Sequence, residues 1–535
     1  MTDKMSKNST EALRAILEEV IAGDINEKGE LEHAKLRACR EFGLFKVPSN
    51  AEILATASED EREEVLPILR RKPVRSISGV TVLTVMPQPY ACPKEKPCVY
   101  CPGGPNFGTP QSYTGEEPAS ARALELDYDP TAQIEARMKQ LYAIGHEVDK
   151  VELIVFGGTF LAQPLDYQER FMHHCLDTIS GKKSPDLEAA KRQAETAGTR
   201  TIGITFETRP DYCKREHVNQ MLRFGGTRVE IGVETIYEDI YELVGREHTI
   251  QDVVEATKTA KDSGLAIVYH MMPGLPGSNC ERDLQAFKTI FNDPRFKPDM
   301  LKIYPCLVTK ETELYDWWKA GKFDPLEGEE AIELIAKMKE QIPRWMRIQR
   351  IQRDIPAHLI EAGVQKGNLR DIVKEKLASW NSHCECIRCR EVGHKAREGI
   401  EPQMDDVKLL TQKYRASDGE EIFLSFEDVE QDIILGYLRL RIPTRDVTRP
   451  EIDDSTALVR MLYVLGELIP VREDKRPDAW QHKGLGKRLL SEAERIARED
   501  YDMERVGILS GLGTRPYYRR FEYQLEGPYM VKNLD

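Results

Sequence analysis

No run of about 20 apolar residues occurs in the chain, which removes a bilayer-spanning helix from its repertoire. The N-terminus, MTDKMSKNSTEALR, lacks the apolar stretch of a secretory signal, so the cytoplasm is the expected location. Positive charge is also short: 76 Lys and Arg against 90 Asp and Glu give a net charge of −14. An overall basic field is excluded, and any contact with RNA must come from a local surface. Cysteine is scarce, 11 residues in an odd count with uneven spacing. In a reducing compartment, clustered thiols of this kind point to metal ligands rather than disulfides. Internal repeats of 20 to 50 residues are absent as well. What is present is 40% hydrophobic and 31% charged residues, with a mean hydropathy of −0.50, a composition able to bury real cores. At 535 residues the chain exceeds one compact core and divides into two or three units.

Residues 1–75 carry alternating charge and helical periodicity, as in EALRAILEEVIAG, and read as a small helical domain. From Ile77 the pattern turns to β-rich segments separated by amphipathic ones: SGVTVLTVM, VELIVFGG, TIGITFE, TRVEIGV, LAIVYHMM and DMLKIYP. Strand–helix alternation of this kind predicts an α/β fold with parallel strands and right-handed crossovers, a partial (β/α)6 barrel over 76–345. Chemistry then sits at the C-terminal ends of the strands. Residues 182–199 read as a helical excursion. The segment 346–398 breaks the rhythm and is expected to be a linker holding a cysteine cluster; 399–535 shows antiparallel strands, a glycine-rich turn and a helix, a mixed-sheet domain.

Cys92, Cys98 and Cys101 stand within ten residues in ACPKEKPCVYCPGG, just after the first predicted strand. Three thiolates can hold three irons of a [4Fe-4S] cubane and leave the fourth open to a ligand. The competing reading is a zinc knuckle, which favours four ligands and has no nearby histidine to supply the last. This loop resembles the signature of the radical S-adenosylmethionine (SAM) superfamily, although five residues rather than the usual three separate the first two cysteines. The resemblance implies that SAM binds the open iron and yields a 5′-deoxyadenosyl radical on reduction. It also places Gly157, Gly158 and Thr159, which end the second strand, against the methionine amino group. HMMPGLPG, residues 270–277, ends a later strand, where Gly and Pro permit close backbone approach to a nucleoside or simply turn the chain.

Near the C-terminus Gln481, Gly484 and Gly486 form a Q-x-x-G-x-G turn leading into a helix, whose free amides can cradle a pyrophosphate. The preceding strand MLYVLGELIPV and the later Tyr517 and Tyr518 complete a pattern similar to the GNAT acetyltransferase fold. In that fold a splayed strand holds acetyl-CoA and a tyrosine protonates the departing thiolate.

The two signatures in one chain, with QSYTGEEPAS, ETRPD, RVEIGVET, RDIP, REVGH and GTRPYYRRFEY, resemble the family of Elongator catalytic subunits, in its single-chain form. The resemblance covers residues 75–535 most firmly. It implies a tRNA wobble-uridine enzyme: the radical takes hydrogen from the methyl of acetyl-CoA and the acetyl fragment adds to C5 of uridine 34. Carried over with it, as acetyl-CoA contacts, are Lys150, Met461, Leu462, Tyr463, Val464, Leu485, Gly486, Lys487 and Tyr518. The tRNA anticodon stem-loop, an electron donor and a tRNA-binding role for residues 1–75 are implied too, with a homodimer left open. Arg209, Glu230, Glu234, Arg246, His270 and Lys302 fall at predicted strand ends or in the following loops, without individual roles.

Cys384, Cys386 and Cys389 in HCECIRCREVGH read as a zinc staple, with His383, His394 or Cys306 as fourth ligand, against a second iron–sulfur cluster. Arg344, Arg347, Arg350 and Arg353, with Arg388, Arg390, Lys395 and Arg397, suggest a stripe that tracks RNA phosphates, with Trp345 stacking on a base; a solvated charged face is the plain alternative. The rival function is a protein lysine (histone) acetyltransferase whose iron–sulfur cluster is structural. A third reading is an RNA-binding scaffold with decayed sites, against which all three cysteines and the glycine turn are retained.

Overall fold

The computed structural model describes residues 2–70, 79–353, 355–447, 449–466 and 484–534, in two compact units. The first comprises Met1–Thr81 with Glu135–Asp149. Its helices include Thr2–Ile21, Lys28–Phe42, Asn50–Leu54 and Glu59–Leu69. Ser49 and Ser58 begin the last two with reciprocal side-chain and backbone bonds to Glu52 and Glu61, which satisfies amides that a helix start leaves free. Apolar residues at helical spacing, among them Ile16, Leu17, Leu31, Ile53, Val65 and Leu69, form its core. The expected boundary at residue 75 lies outside the described residues.

The second unit, Val82–Ile134 with Lys150–Asp535, holds two seven-stranded sheets. The first contains β1 (Thr81–Val85), β2 (Lys150–Val155), β3 (Arg200–Thr208), β4 (Arg228–Glu234), β5 (Ala266–Met271) and β6 (Met300–Ile303). A two-residue strand β7 (Val308–Thr309) leaves this sheet, and β8 (Arg347–Ile351) closes it in the order β1-β2-β3-β4-β5-β6-β8. From β2 to β8 every pairing is parallel, and helices such as Leu165–Ser180, Arg215–Arg223, Ile250–Asp262 and Cys280–Asn292 provide the crossovers. The result is a curled half-barrel. Its last strand, β8, falls inside the segment that the sequence pattern assigns to the linker. β9 (Ile360–Ala362) pairs antiparallel with β7 as a small ribbon.

The second sheet runs β10 (Val407–Ala416), β11 (Gly419–Asp428), β12 (Ile433–Ile442), β13 (Thr456–Val464), β14 (Arg505–Leu509), β15 (Gln524–Glu526) and β16 (Tyr529–Asn533), in the order β10-β11-β12-β13-β14-β16-β15. Its one parallel pair among the described residues is β13 with β14. The helix Leu485–Tyr501 covers it with Leu485, Leu489, Leu490, Ala493, Ile496 and Ala497, which meet Leu424, Leu438 and Val459 in one core. Among the described residues no helix is long and apolar enough to cross a membrane.

This second sheet docks on the N-terminal ends of the barrel strands. Asp299, just before β6, takes Arg460 of β13 through Nη1 at 2.9 Å and Nη2 at 2.6 Å. Arg460 also donates to the Leu265 carbonyl before β5 (2.7 Å) and to Glu421 of β11 (2.9 Å). Arg441 joins Glu421 (3.1 Å) to Asp262 (2.8 Å). Lys261 stands 3.7 Å from both Asp299 and Glu421, and all of these side chains are buried. Asp299→Ala removes one of the two central anions and leaves Arg460, Lys261 and Arg441 to share Glu421, an under-compensated buried charge expected to cost about 3–5 kcal/mol. Chemical denaturation checks this; a midpoint unchanged from the parent would show that the network does not hold the sheets together.

Candidate active site

The cysteine loop follows β1 and lies over the C-terminal ends of the barrel strands. Val99 N donates to the Val244 carbonyl (3.1 Å) and Leu314 N to the Val99 carbonyl (2.8 Å), so the loop is tied to the segments after β4 and β7. Gly103 must turn with φ +67°, and a Cβ there would stand 1.8 Å from the Tyr113 carbonyl oxygen. Cys98 is buried, while Cys92 and Cys101 are half-buried. Lys94 Nζ donates to Cys98 Sγ at 3.1 Å and Gln111 Nε2 to Cys101 Sγ at 3.3 Å. Burial raises the Cys98 thiol pKa, but the Arg246 guanidinium and the Lys94 ammonium outweigh it and hold the group below its ordinary value. Among the described residues these three thiols do not form a group within 4.8 Å of one another, the spacing that would suit ligands of a single ion. Thiols set further apart, one of them favoured as an anion, suit a multi-iron cluster better.

Gly157 and Gly158 follow β2 with φ +117° and +78° and pack on Pro110 and Gln111, beside the cysteine loop. Gln111 therefore touches both Cys101 and the glycine turn that ends in Thr159. Arg246, whose Nη1 reaches Tyr100 Oη (3.4 Å) and Glu234 (3.7 Å), is held in place by Arg209, which donates to the Arg246 carbonyl at 3.1 Å and pairs with Asp211 at 2.9 Å. These two arginines are framework cations beneath the loop.

Inside the barrel, β3 to β6 bring together a charged group that the sequence marks only as scattered strand-end residues. His270 Nε2 lies 2.9 Å from Glu230 and its Nδ1 3.4 Å from Glu207. Lys302 Nζ donates to the same oxygen of Glu230, and Tyr113 Oη donates to Glu207 at 3.0 Å. The strand register makes this cluster: Glu207 pairs with Glu230, and His270 with both Gly232 and Lys302. Burial would raise Glu230, yet Lys302 and His270 hold it well below the carboxylate range. Glu207, Glu230 and His270 offer ligand atoms within 4.8 Å of one another, but Lys302 already neutralises the shared carboxylate, which disfavours a second cation there. Glu207, the member that periodicity alone does not single out, is the more exposed of the two carboxylates.

In the second sheet, β13 pairs with β14 only from Thr456 to Val459. A register shift at Arg460 follows, after which Met461, Leu462, Tyr463 and Val464 pair with β12 alone. Among the described residues, the edge facing β14 is thereby unpaired over those four residues. Gly484 adopts φ +75° at the start of the helix, and Gly486 approaches both Val464 and Tyr517: a Cβ on it would lie 2.8 Å from Tyr517 Oη. Leu485 is buried, and Lys487 follows on the exposed side of the first turn. Tyr517 is half-buried at this mouth, whereas Tyr518 lies in the core against Tyr523 and burial pushes its hydroxyl pKa upward. Tyr463 Oη accepts from Arg228 Nη2 (3.0 Å) at the start of β4, and Lys150 begins β2 at the same end of the barrel. Gln481 and the continuation of the predicted strand through residues 467–471 lie outside the described residues.

Cys384, Cys386 and Cys389 do draw within 4.8 Å of one another. Hydrogen bonds from Cys384 and Cys389 hold the Cys386 thiol pKa well below its ordinary value. Of the expected fourth ligands, Cys306 packs instead with Cys98 and Val99, His394 faces Glu391 at 3.0 Å, and His383 is exposed. The arginine stripe is not a free surface. Arg344 pairs with Glu427 and Asp432 at 2.6 Å, Arg347 with Glu391 at 2.6 Å and Arg390 with Glu427 at 2.7 Å. Arg353 donates to the Ser112 carbonyl at 2.5 Å, and Trp345, buried, stacks on Tyr414 at 4.4 Å. Of the expected cations, Arg397 stays exposed. Docking of the second sheet against β8 engages the residues whose spacing resembles a phosphate track, so Trp345 has no face for a base.

Fold and cysteine loop define a radical SAM protein: residues 90–289 match the Radical SAM superfamily and 298–379 the Radical_SAM C-terminal domain. Residues 9–77 match the ELP3 N-terminal domain. A Methanocaldococcus jannaschii protein named tRNA uridine(34) acetyltransferase is 48% identical over 539 residues, covering 100% of this chain and 99% of the relative. Human Elongator complex protein 3 is 42% identical over 513 residues, 94% of this chain and 93% of that protein. The solved structure of Methanocaldococcus infernus Elp3 lacking its N-terminus superposes with a TM-score of 0.76 at 45% identity, covering 86% of this chain and 100% of that one. The chain belongs to the Elp3 family.

Gly103→Ala is expected to displace the loop, because the new methyl meets backbone and φ is left-handed. Iron bound after anaerobic reconstitution should fall by more than half while far-UV circular dichroism is kept. Full iron loading in that variant would show that the turn does not position the thiols.

Proposed function

We propose that this protein modifies the wobble uridine, position 34, of tRNA by joining the acetyl carbon of acetyl-CoA to C5 of the base. The observation that carries the reading is the presence in one unit of a three-thiol loop at one end of a half-barrel and a strand edge splayed beside a glycine-started helix at its other end, so the acetyl group has to pass from the edge to the loop before the radical can reach it. Neither half alone accounts for the chemistry. C5 of uracil is a weak nucleophile, so ordinary acyl transfer does not make a carbon–carbon bond there, whereas a carbon radical adds to the C5=C6 double bond. When bound, the [4Fe-4S] cluster and SAM would supply the organic radical that takes a hydrogen atom from the acetyl methyl. The C5 adduct then has to give up the C5 proton and one electron, which the oxidised cluster can take back, and water cleaves the thioester to leave the carboxymethyl group and free CoA.

The protein's own residues bind, orient and shield. Cys92, Cys98 and Cys101 hold three irons, with Lys94 and Gln111 donating to two of the thiolates. Gly157, Gly158 and Thr159 line the place for the methionine end of SAM. Met461, Leu462, Tyr463 and Val464 offer an open strand edge to the pantetheine amides, and the amides of Leu485, Gly486 and Lys487 face the pyrophosphate at a helix start. Gln481 stands three residues before Gly484 in the sequence and is carried as a further contact of the same cofactor. Lys150, the first residue of β2, is taken as a further acetyl-CoA contact from the barrel. Tyr517 is the proton donor to the departing thiolate: burial raises its hydroxyl pKa, so it is protonated at neutral pH and stands by Gly486. Tyr518 supports it from the core, at a ring-centroid distance of 5.2 Å. Cys384, Cys386 and Cys389 hold a zinc ion that ties the β8 region to the second sheet. With Arg344, Arg347 and Arg390 engaged in ion pairs and Arg353 on a backbone carbonyl, contact with tRNA falls to the helical N-terminal unit and to surface cations elsewhere, and it should weaken steeply with salt.

Anaerobic reconstitution with iron and sulfide, then incubation with SAM, acetyl-CoA, a reductant and tRNA, tests the reading by mass analysis of the wobble nucleoside. A carboxymethyl-type adduct at C5 is expected; unmodified tRNA, together with acetylation of a lysine peptide supplied in a parallel reaction, would replace the reading with the lysine acetyltransferase one. Cys98→Ala should abolish SAM cleavage with tRNA binding kept. Cys386→Ser should lose one zinc per chain and soften the protein to proteolysis around residues 380–400, and an unchanged zinc content would remove that assignment.

A further inference from the structure

The cluster of Glu207, Glu230, His270 and Lys302 is not absorbed by the reading above, and it sits at the end of the barrel that the cysteine loop covers. Tyr113 makes the link. Its hydroxyl donates to Glu207 at 3.0 Å, and two residues before it Gln111 donates to Cys101 Sγ. A base that must meet a radical formed at that loop has this cluster as its floor.

The four side chains are unevenly satisfied. Glu230 takes Lys302 and His270 on one oxygen, while its Oε1 is buried without a hydrogen-bond partner. Lys302 carries three donors and spends one on Glu230. The side chains of Glu207 and Lys302 keep 22% and 16% of their surface, against 1% for Glu230. The reachable groups are thus a carboxylate acceptor on β3 and an ammonium donor on β6, on one wall with Glu230 of β4 and His270 of β5 between them. An orphaned carboxylate oxygen in the middle marks the arrangement as incomplete without an occupant.

We propose that Glu207 and Lys302 read the Watson–Crick edge of the target base, Glu207 accepting from N3–H of uracil and Lys302 donating to the neighbouring carbonyl oxygen. The inference rests on the wobble-uridine reading and names the residues that choose the base. Uracil presents a donor at N3 beside carbonyl acceptors; cytosine presents a lone pair at N3 and a donor at its exocyclic amine. Against cytosine the carboxylate meets a lone pair and the ammonium meets an amine, so both contacts turn repulsive or unpaired. A flipped-out base is read on this edge by paired donors and acceptors. Buried polar groups left unpaired by the wrong base cost far more than a lost contact at a wet surface. His270 is a positioning residue here: it lies between the two carboxylates, 3.4 Å from Glu207, and stays clear of the base.

Binding rather than turnover tests this. Two transcripts of one tRNA, with U34 or C34 and otherwise identical, are titrated onto the reconstituted protein in the presence of SAM, and the dissociation constants compared. The parent should prefer U34 by about 10- to 100-fold. Glu207→Gln, whose amide can accept or donate, should bring the two affinities within about threefold, chiefly by tighter binding of the C34 transcript. Lys302→Met should weaken U34 and leave C34 little changed. Circular dichroism and iron content equal to the parent's are required of both variants; if Glu207→Gln fails this, Glu207→Asp, which keeps the charge and withdraws it by one methylene, serves instead and should reduce the preference without abolishing it. Equal affinities in the parent, or a preference that Glu207→Gln leaves intact, overturn the proposal. Failure of the wobble-uridine reading is separate: it would appear as no C5 adduct on the U34 transcript in the parent, whatever the affinities.

Discussion

The pair formed by Asp299 and Arg460 fixes both the docking of the two sheets and the shape of the strand edge beside the glycine-started helix. Arg460 is the residue at which β13 slips register against β12. The slip turns its side chain out of the second sheet and into the barrel floor, where Asp299 and the Leu265 carbonyl receive it. Pairing of β13 with β14 ends just before it, after Val459, which leaves the edge of residues 461–464 open. One backbone irregularity thus joins the sheets and opens the edge. Bulges of this kind re-aim side chains and end pairing at functional sites.

Burying so many charges is expensive, and apolar residues of similar size would serve stability at least as well. What the ions add is register. Asp299 also accepts from Ile267 N at 2.8 Å, so a carboxylate fixed by the barrel's own backbone sets where Arg460 must arrive. An apolar patch would tolerate sliding; a bidentate pair does not. The position of Tyr463 at the barrel floor follows from that register, because it lies three residues beyond Arg460 on the same strand.

Much of this is legible in the sequence. Strand–helix alternation announces the parallel sheet, the three cysteines announce the loop, and Gly484 with Gly486 announces a helix start with room before it. The failures share a cause. Arg344, Arg347 and Arg353 have the spacing of a solvent-facing stripe, and nothing local to residues 344–353 reveals that Glu391, Glu427 and Asp432 meet the first two or that the Ser112 carbonyl receives the third. β8 reads as linker because the strand is short and charged, and only its neighbour β6 makes it part of a sheet. Tyr517 and Tyr518 cannot be told apart by pattern, since one helical step decides which faces Gly486. Glu207 and Glu230 become a pair only through parallel register across two strands.

Charge follows the same logic. The chain is acidic overall, and because its buried arginines are matched by Asp299, Glu421, Glu391 and Glu427, that excess of negative charge is left to the rest of the molecule. Around Cys98 the sign turns positive, with Lys94, Arg246 and Arg209 gathered beneath one loop. That local field favours the Cys98 thiolate, while burial raises Cys101. A few ångströms of wall away, Lys302 offsets Glu230 and leaves Glu207 as a half-exposed carboxylate. That has a consequence for what can be bound: a metal ion would have to displace Lys302, and a phosphate would face Glu207, whereas an uncharged base meets an acceptor and a donor already desolvated by their partners. The strands therefore separate two tasks by charge, an electropositive loop for an anionic metal cluster and a wall of one acceptor and one donor for a neutral heterocycle.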